Sequence, residues 1–140
     1  MSDECTTSDL VELTRRSYEV ATRGDLDALV SFYTCDVVYD VSDAGLGTFE
    51  GARAVRGFFE DWWASYDEYA TEVEEILDFG HGVVFSAYRE NVRLAGSDGT
   101  LEQRRAFVSM WASSKVEWMK SYLDIDEARA AGERLARERG

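Results

Sequence analysis

The chain has 140 residues, of which 45% are hydrophobic and 13% aromatic, and a formal net charge of −13. Such a length is about one domain, able to bury roughly two thirds of its unfolded surface, and the apolar content excludes disorder. No apolar run approaches the ~18 residues of a membrane span, and the acidity opposes contact with nucleic acid or an anionic membrane, because phosphate binding needs clustered lysine and arginine.

The opening MSDECTTSDL has no basic region and no apolar stretch, so residues 1–8 read as a flexible N-terminus rather than a signal peptide, and a cytoplasmic location is expected. Cys5 and Cys35 lie far apart, with no CxxC and no neighbouring histidine, so neither a zinc site nor a redox motif is indicated, and Cys35 is expected as a small core residue. Asp9 and Glu12 stand at capping-box spacing ahead of a helix whose apolar face is Leu10, Leu13, Tyr18 and Ala21 and whose stop is Gly24. Asp25 caps a second, shorter helix with Leu26, Leu29, Val30 and Tyr33 on one face, and a strand follows at Val37 to Val41. After the glycine-bearing loop SDAGLGTFEG, a third helix from Ala52 to about Tyr66 carries the stripe Val55, Phe58, Phe59, Trp62, Trp63 and Tyr66.

Strands are then expected at Tyr69 to Phe79, Val83 to Ala95, Leu101 to Trp111 and Val116 to Asp124, joined by the hairpin-length turns GHG, GSDG and ASSK. The final DEARAAGERLARERG is a helix by propensity, with Arg129/Glu133 and Glu133/Arg137 at four-residue spacing. No proline, repeat or low-complexity tract interrupts residues 9–140, which read as a single domain. The order α-α-β-α-β-β-β-β-α gives an α+β fold: a bent antiparallel sheet wrapped around the N-terminal helices, with the aromatic stripe of helix three across its hollow. Whatever that stripe leaves unfilled is a pocket.

The segments GDLDALVSFYTCDVVYD (24–40), FEGARAVRGFFEDW (49–62) and KVEWMKSYLDIDEARAAG (115–132), in this order and spacing, resemble the NTF2-like superfamily and its SnoaL-like group. The resemblance covers nearly the whole chain after residue 8. It implies a cone-shaped roll that holds a small apolar molecule, with a homodimer formed through the outer sheet face. The superfamily contains isomerases, cyclases, dehydratases, epoxide hydrolases and proteins without catalysis, so the fold does not decide the function.

Against the ketosteroid isomerases of that superfamily, Asp40 is the nearest match to the catalytic base. It is followed by Val41 instead of proline, and its spacing from Asp36 is one residue short, which would turn Val37, Tyr39 and Val41 inward and Asp40 outward. Ser17 stands where those isomerases have a tyrosine, with Tyr18 one step away, and Phe107 replaces their sheet aspartate. Against the epoxide hydrolases, Arg89-x-Asn91 keeps the arginine of an Arg-x-Asp pair, and Ser121 takes the place of the second aspartate. Neither an amide nor an unassisted hydroxyl activates water near neutral pH.

If Val83, Phe85, Ala87, Arg89 and Asn91 share the inner face, Arg89 and Asn91 offer donors inside an apolar hollow. The competing reading pairs Arg89 with a cross-strand carboxylate or with Asp61. Glu90 and Arg93 are expected on the outer face or at a strand end, Arg104 and Arg105 at a rim, and the lone His81 exposed in a turn. Tyr18, Tyr33, Trp63 and Trp111 are the expected pocket walls. Two functions follow: a pocket protein for an apolar ligand with a polar or anionic group, with Asp40 as base and Arg89 as stabiliser if it transfers protons, or a non-catalytic dimerising or ligand-sensing module. No cofactor and no metal are implied.

Overall fold

Strand-forming sequence is plentiful in the second half of the chain, and a tight turn organises it. His81 and Gly82 both have positive φ, 57° and 80°, the pair of left-handed conformations that a two-residue hairpin needs to match the twist of its strands. They join β3 (Tyr66–Gly80) to β4 (Val83–Leu94) in the computed structural model, which describes residues 7–140, with side chains from Leu10 onward. The other elements are α1 (Thr7–Thr22), α2 (Leu26–Val30), β1 (Tyr33–Asp40), β2 (Thr48–Glu50), α3 (Ala52–Ala64), β5 (Leu101–Ala112), β6 (Lys115–Tyr122) and α4 (Ile125–Arg139).

The strands form one sheet in the order β2-β1-β6-β5-β4-β3. All neighbours are antiparallel except β1 and β6, which run parallel, so the expected antiparallel sheet is mixed. This follows from chain path: α3 and three hairpin-linked strands lie between β1 and β6, and the last strand returns beside the first. The α+β order is otherwise as read, with the short β2 added where TFE pairs with β1 through Tyr39 and Phe49. β1 begins at Tyr33 rather than Val37, because Tyr33 pairs with Val116 instead of ending α2. α1 is already helical at Thr7, so Asp9 lies within it and does not cap it. Cys5 and most of the proposed flexible terminus fall outside the described residues.

Each face of the sheet has its own helical cover. On the inner face, α1, α2 and α3 pack Leu10, Val20, Leu29, Val55 and Phe59 against Val37, Tyr39, Val84, Trp111 and Met119. On the outer face, Ala128, Ala131 and Ala136 of α4 pack against Val83, Phe85, Ala87 and Val108. Asp124 caps α4, its carboxylate accepting the Glu127 N–H at 3.0 Å. Gly132 lets the helix sit close, since a β-carbon there would lie 2.7 Å from the Phe79 ring. Burying side chains such as Phe85 and Val108 contributes about 1.5–3 kcal/mol each. The outer face, which the resemblance gives to a second subunit, thus carries the chain's own helix over its apolar half.

Register settles which residues look into the hollow. Ser86 pairs with Phe107, which pairs with Ser121, and Tyr88 pairs with Arg105, so Val84, Ser86, Tyr88 and Glu90 face inward. Val83, Phe85, Ala87, Arg89 and Asn91 face outward, the reverse of the expectation for β4. Because α4 covers one side and α1 the other, six consecutive residues from Val83 to Tyr88 are buried. Such a strand shows no alternation from which its inner face could be read. Among the described residues no helix is long and apolar enough to cross a membrane.

Gly82 supports a direct test. A β-carbon at this position would lie 2.7 Å from the Trp111 carbonyl oxygen, on a backbone with φ of +80°. Gly82→Ala is expected to lower stability by about 2–4 kcal/mol, from left-handed strain plus a clash that only backbone movement relieves. Urea unfolding, read as a lower midpoint with unchanged slope, measures it.

Candidate functional site: a divided hollow inside the sheet

α1 is fastened across the sheet at its C-terminal end. The Thr22 and Thr71 hydroxyls lie 2.9 Å apart, and the Thr71 N–H donates to Thr22 Oγ1 at 3.1 Å. A cavity of about 80 Å³ lies between α1, α2, α3 and the inner face. In the same measure a single water needs about 10–15 Å³, so the space takes several waters or a small organic molecule. Leu29, Phe59, Trp63, Val116 and Met119 form apolar walls, and Tyr18, Tyr33, Tyr88, Ser86 and Thr14 bring hydroxyls.

Those hydroxyls stay neutral. Burial is the main cause raising the phenols of Tyr18, Tyr33 and Tyr88 above their ordinary range, so they remain donors at any ordinary pH. Tyr18 and Ser86 share a hydrogen bond at 2.6 Å between α1 and β4, and the Trp111 indole donates to Ser109 at 3.0 Å. Thr14 Oγ1 and Trp63 Nε1, both on residues lining the cavity, are buried without a partner among the described residues. Such groups carry the penalty of lost water. Among the described residues, none lining this cavity carries a carboxylate, an imidazole or a cationic group.

Beyond a wall of Phe59, Tyr69, Tyr88 and Phe107, which belongs to both spaces, lies a smaller compartment of about 20 Å³. Tyr88 and Phe107 stack there with centroids 5.3 Å apart and planes 9° from parallel. Glu90 and Arg105 line the smaller space. The Glu90 side chain is only 2% exposed; its Oε1 lies 3.5 Å from Arg105 Nε and accepts from Gln103 at 3.1 Å. The Arg105 guanidinium lies over the Trp62 ring, 5.6 Å from its centroid. Burial first, and the adjacent Glu90 carboxylate second, hold the Tyr69 phenol well above its usual value.

The expected walls Tyr18, Tyr33, Trp63 and Trp111 all line the larger cavity. Asn91 does not: it is exposed on the outer face. Arg89 is also outside, in the ionic patch foreseen by the competing reading, with Glu74 at 2.9 Å, Glu72 at 3.5 Å and Glu102 at 3.8 Å. Asp40 points outward as the strand count indicated, beside neither compartment. Burial alone would raise its carboxyl, but bonds from the Ser42 hydroxyl and N–H, with the Lys120 charge, outweigh burial and hold it below the usual range. His81 is exposed as expected, whereas Cys35 is exposed instead of buried.

Glu90 and Arg105, expected on the outer face and at a rim, also lie elsewhere than the sequence indicates. The available signal was α4: a helix face of Ala128 and Ala131 needs an apolar sheet surface beneath it, and Phe85 and Ala87 supply it only if they face outward. Glu90 then follows Ser86 and Tyr88 into the hollow. Among the described residues no cluster of histidine, cysteine and carboxylates suits a metal ion.

The fold is shared with solved structures of low sequence identity. An NTF2-like protein of unknown function from Burkholderia pseudomallei matches with a TM-score of 0.73 and 19% identity, over 85% of this chain and 93% of that one. A hypothetical protein with a ketosteroid isomerase-like fold from Catenulispora acidiphila, in complex with trimethylamine, matches with a TM-score of 0.73 and 13% identity, over 85% and 90% of the two chains. TerC, co-crystallised with polyporic acid, matches with a TM-score of 0.73 and 16% identity, over 89% and 98%. No functionally curated protein sequence matches the chain. The SnoaL-like domain model matches residues 14–90, a span that runs from within α1 through α3 to Glu90 of β4, and the chain therefore belongs to the SnoaL-like domain family.

Proposed function

We propose that the chain holds a small, uncharged, mostly apolar molecule in the larger cavity. The observation that carries this reading is a hollow walled by Leu29, Phe59, Trp63, Val116 and Met119, with the hydroxyl-bearing Tyr18, Tyr33 and Ser86 among its lining, a setting that suits an apolar body with a single polar atom. Two structural neighbours, crystallised with trimethylamine and with polyporic acid, support the general idea that this fold accommodates small organic molecules. The anionic group expected from an inward Arg89 is not part of this reading, since among the described residues no cation lines the cavity. The pairing of Asp40 as base with Arg89 as stabiliser also loses its geometry, because both lie outside the hollow. Binding is the reading that remains, and it suits a ligand-sensing module as well as an enzyme.

Isopentylbenzene serves as a simple apolar probe. Titrated into the protein, it should change the fluorescence of Trp63 and Trp111 saturably and raise the melting temperature, as any ligand specific to the native state must. Ala21→Phe places a ring into the α1 wall and should weaken binding about ten-fold or more without unfolding the chain. Normal binding by that variant would place the probe elsewhere.

Asp40→Asn and Arg89→Gln should leave the probe's affinity unchanged. Asp40→Asn should nevertheless reduce stability at neutral pH. The native carboxyl is held below its unfolded value, so its contribution is present above the ordinary carboxylate range and is lost as pH falls through the depressed one. The stability gap between wild type and variant, measured by denaturant unfolding at pH 7 and pH 3, should narrow at the lower pH.

A further inference from the structure

We infer that the Glu90–Arg105 pair is a recognition subsite for the polar head of the molecule whose apolar body fills the larger cavity, and that this head is an uncharged group with an N–H donor beside a carbonyl, as in a carboxamide or lactam. This rests on the reading of the larger cavity as a binding site. The two spaces share Phe59, Tyr69, Tyr88 and Phe107 as their common wall, so a ligand in the larger space needs only to pass one layer of side chains to reach the ion pair.

The pair is poorly explained as a fold-stabilising contact. Removing two charges from water costs several kcal/mol per ion, and an apolar replacement of equal shape is often neutral or stabilising. A pair kept for stability is expected to be closely bonded. Here the contact is 3.5 Å, and Arg105 Nε is buried with no hydrogen bond among the described residues. The guanidinium lies over Trp62, its side chain is 12% exposed, and Arg105 lines the compartment without a side-chain hydrogen bond to the described residues. Glu90 offers the acceptor and Arg105 the donor, side by side.

Charge selects the head. An anion on Arg105 would bury two negative charges against one guanidinium, and a cation on Glu90 would create the opposite excess; each leaves an uncompensated charge in a site almost closed to water. A neutral donor–acceptor head keeps the pair balanced and bonds to both partners. The compartment of about 20 Å³ admits only one or two small polar atoms in the measure by which a water takes about 10–15 Å³, which fits a head and not a body.

The experiment uses the full chain and three probes with one body: 3-phenylpropanamide, its hydrocarbon isostere isopentylbenzene, and 3-phenylpropanoate. Binding is measured by calorimetry to wild type, Glu90→Gln and the apolar double variant Glu90→Leu/Arg105→Met, which avoids stranding a buried charge. In both variants the amide should lose about ten-fold or more in affinity while the hydrocarbon binds as in wild type, a control that also reports an intact cavity. The propanoate should bind wild type more weakly than the amide. Hydrocarbon binding with an amide affinity that neither variant changes would overturn the subsite and leave the apolar site standing. Equal loss of both probes would assign the pair to the fold, and a propanoate tighter than the amide would make it an anion site; either result overturns the proposal. Failure of all three probes on wild type would instead overturn the larger cavity's binding role.

Discussion

Burial of the sheet on both faces is the constraint from which the rest of the structure follows. α4 covers Phe85, Ala87 and Val108 from outside, and α1, α2 and α3 cover Val37, Tyr39 and Val84 from inside. A strand between two such layers has no wet side over its central residues, so its register alone decides which side chain meets which layer. On β4 that register sends Ser86, Tyr88 and Glu90 into the hollow and Arg89 into an outer patch of carboxylates. A single-residue slip would exchange the two sets, bringing Ser86 and Tyr88 under the alanine face of α4 and Glu90 into the outer patch of carboxylates.

The interior that results is chemically divided. Among the described residues, the larger cavity is lined by neutral groups, and burial keeps its tyrosine phenols protonated. Among the described residues, the ionic character of the hollow lies in one pair of the smaller compartment, Glu90 with Arg105, screened from the larger cavity by stacked Tyr88 and Phe107. That separation fits a ligand with an apolar body and a compact polar end. The acids and bases of the outer face, Asp40, Glu74 and Arg89 among them, pair with one another, and contact neither space.

Much of the architecture was legible in the sequence because it rests on local physics. Helical periodicity with the stop at Gly24, the cap at Asp25, the aromatic stripe of α3 and the hairpin-length turns are each set by a few neighbouring residues. The walls Tyr18, Tyr33, Trp63 and Trp111 were legible too, since large aromatics on segments bordering a hollow have few other places to go. The facing of β4 was not. An apolar run such as Val83-Val84-Phe85 looks the same for either register, and the deciding information lies in α4, some forty residues later in the chain. The parallel pairing of β1 with β6 and the brief β2 are likewise long-range outcomes that no local pattern announces. Arg105 was hidden for the related reason that a residue next to exposed Arg104 reads as surface until its strand partner, Tyr88, is known.

The central claim is that the hollow between α1, α3 and the inner face accepts a small apolar molecule. Intermolecular nuclear Overhauser effects between isopentylbenzene and the protein's methyl groups test it most directly. The account predicts contacts to the methyls of Leu29, Val116 and Met119, which line the cavity, and none to Val83 or Val108 under α4. Contacts confined to the outer-face methyls, or none at saturating probe, would contradict it.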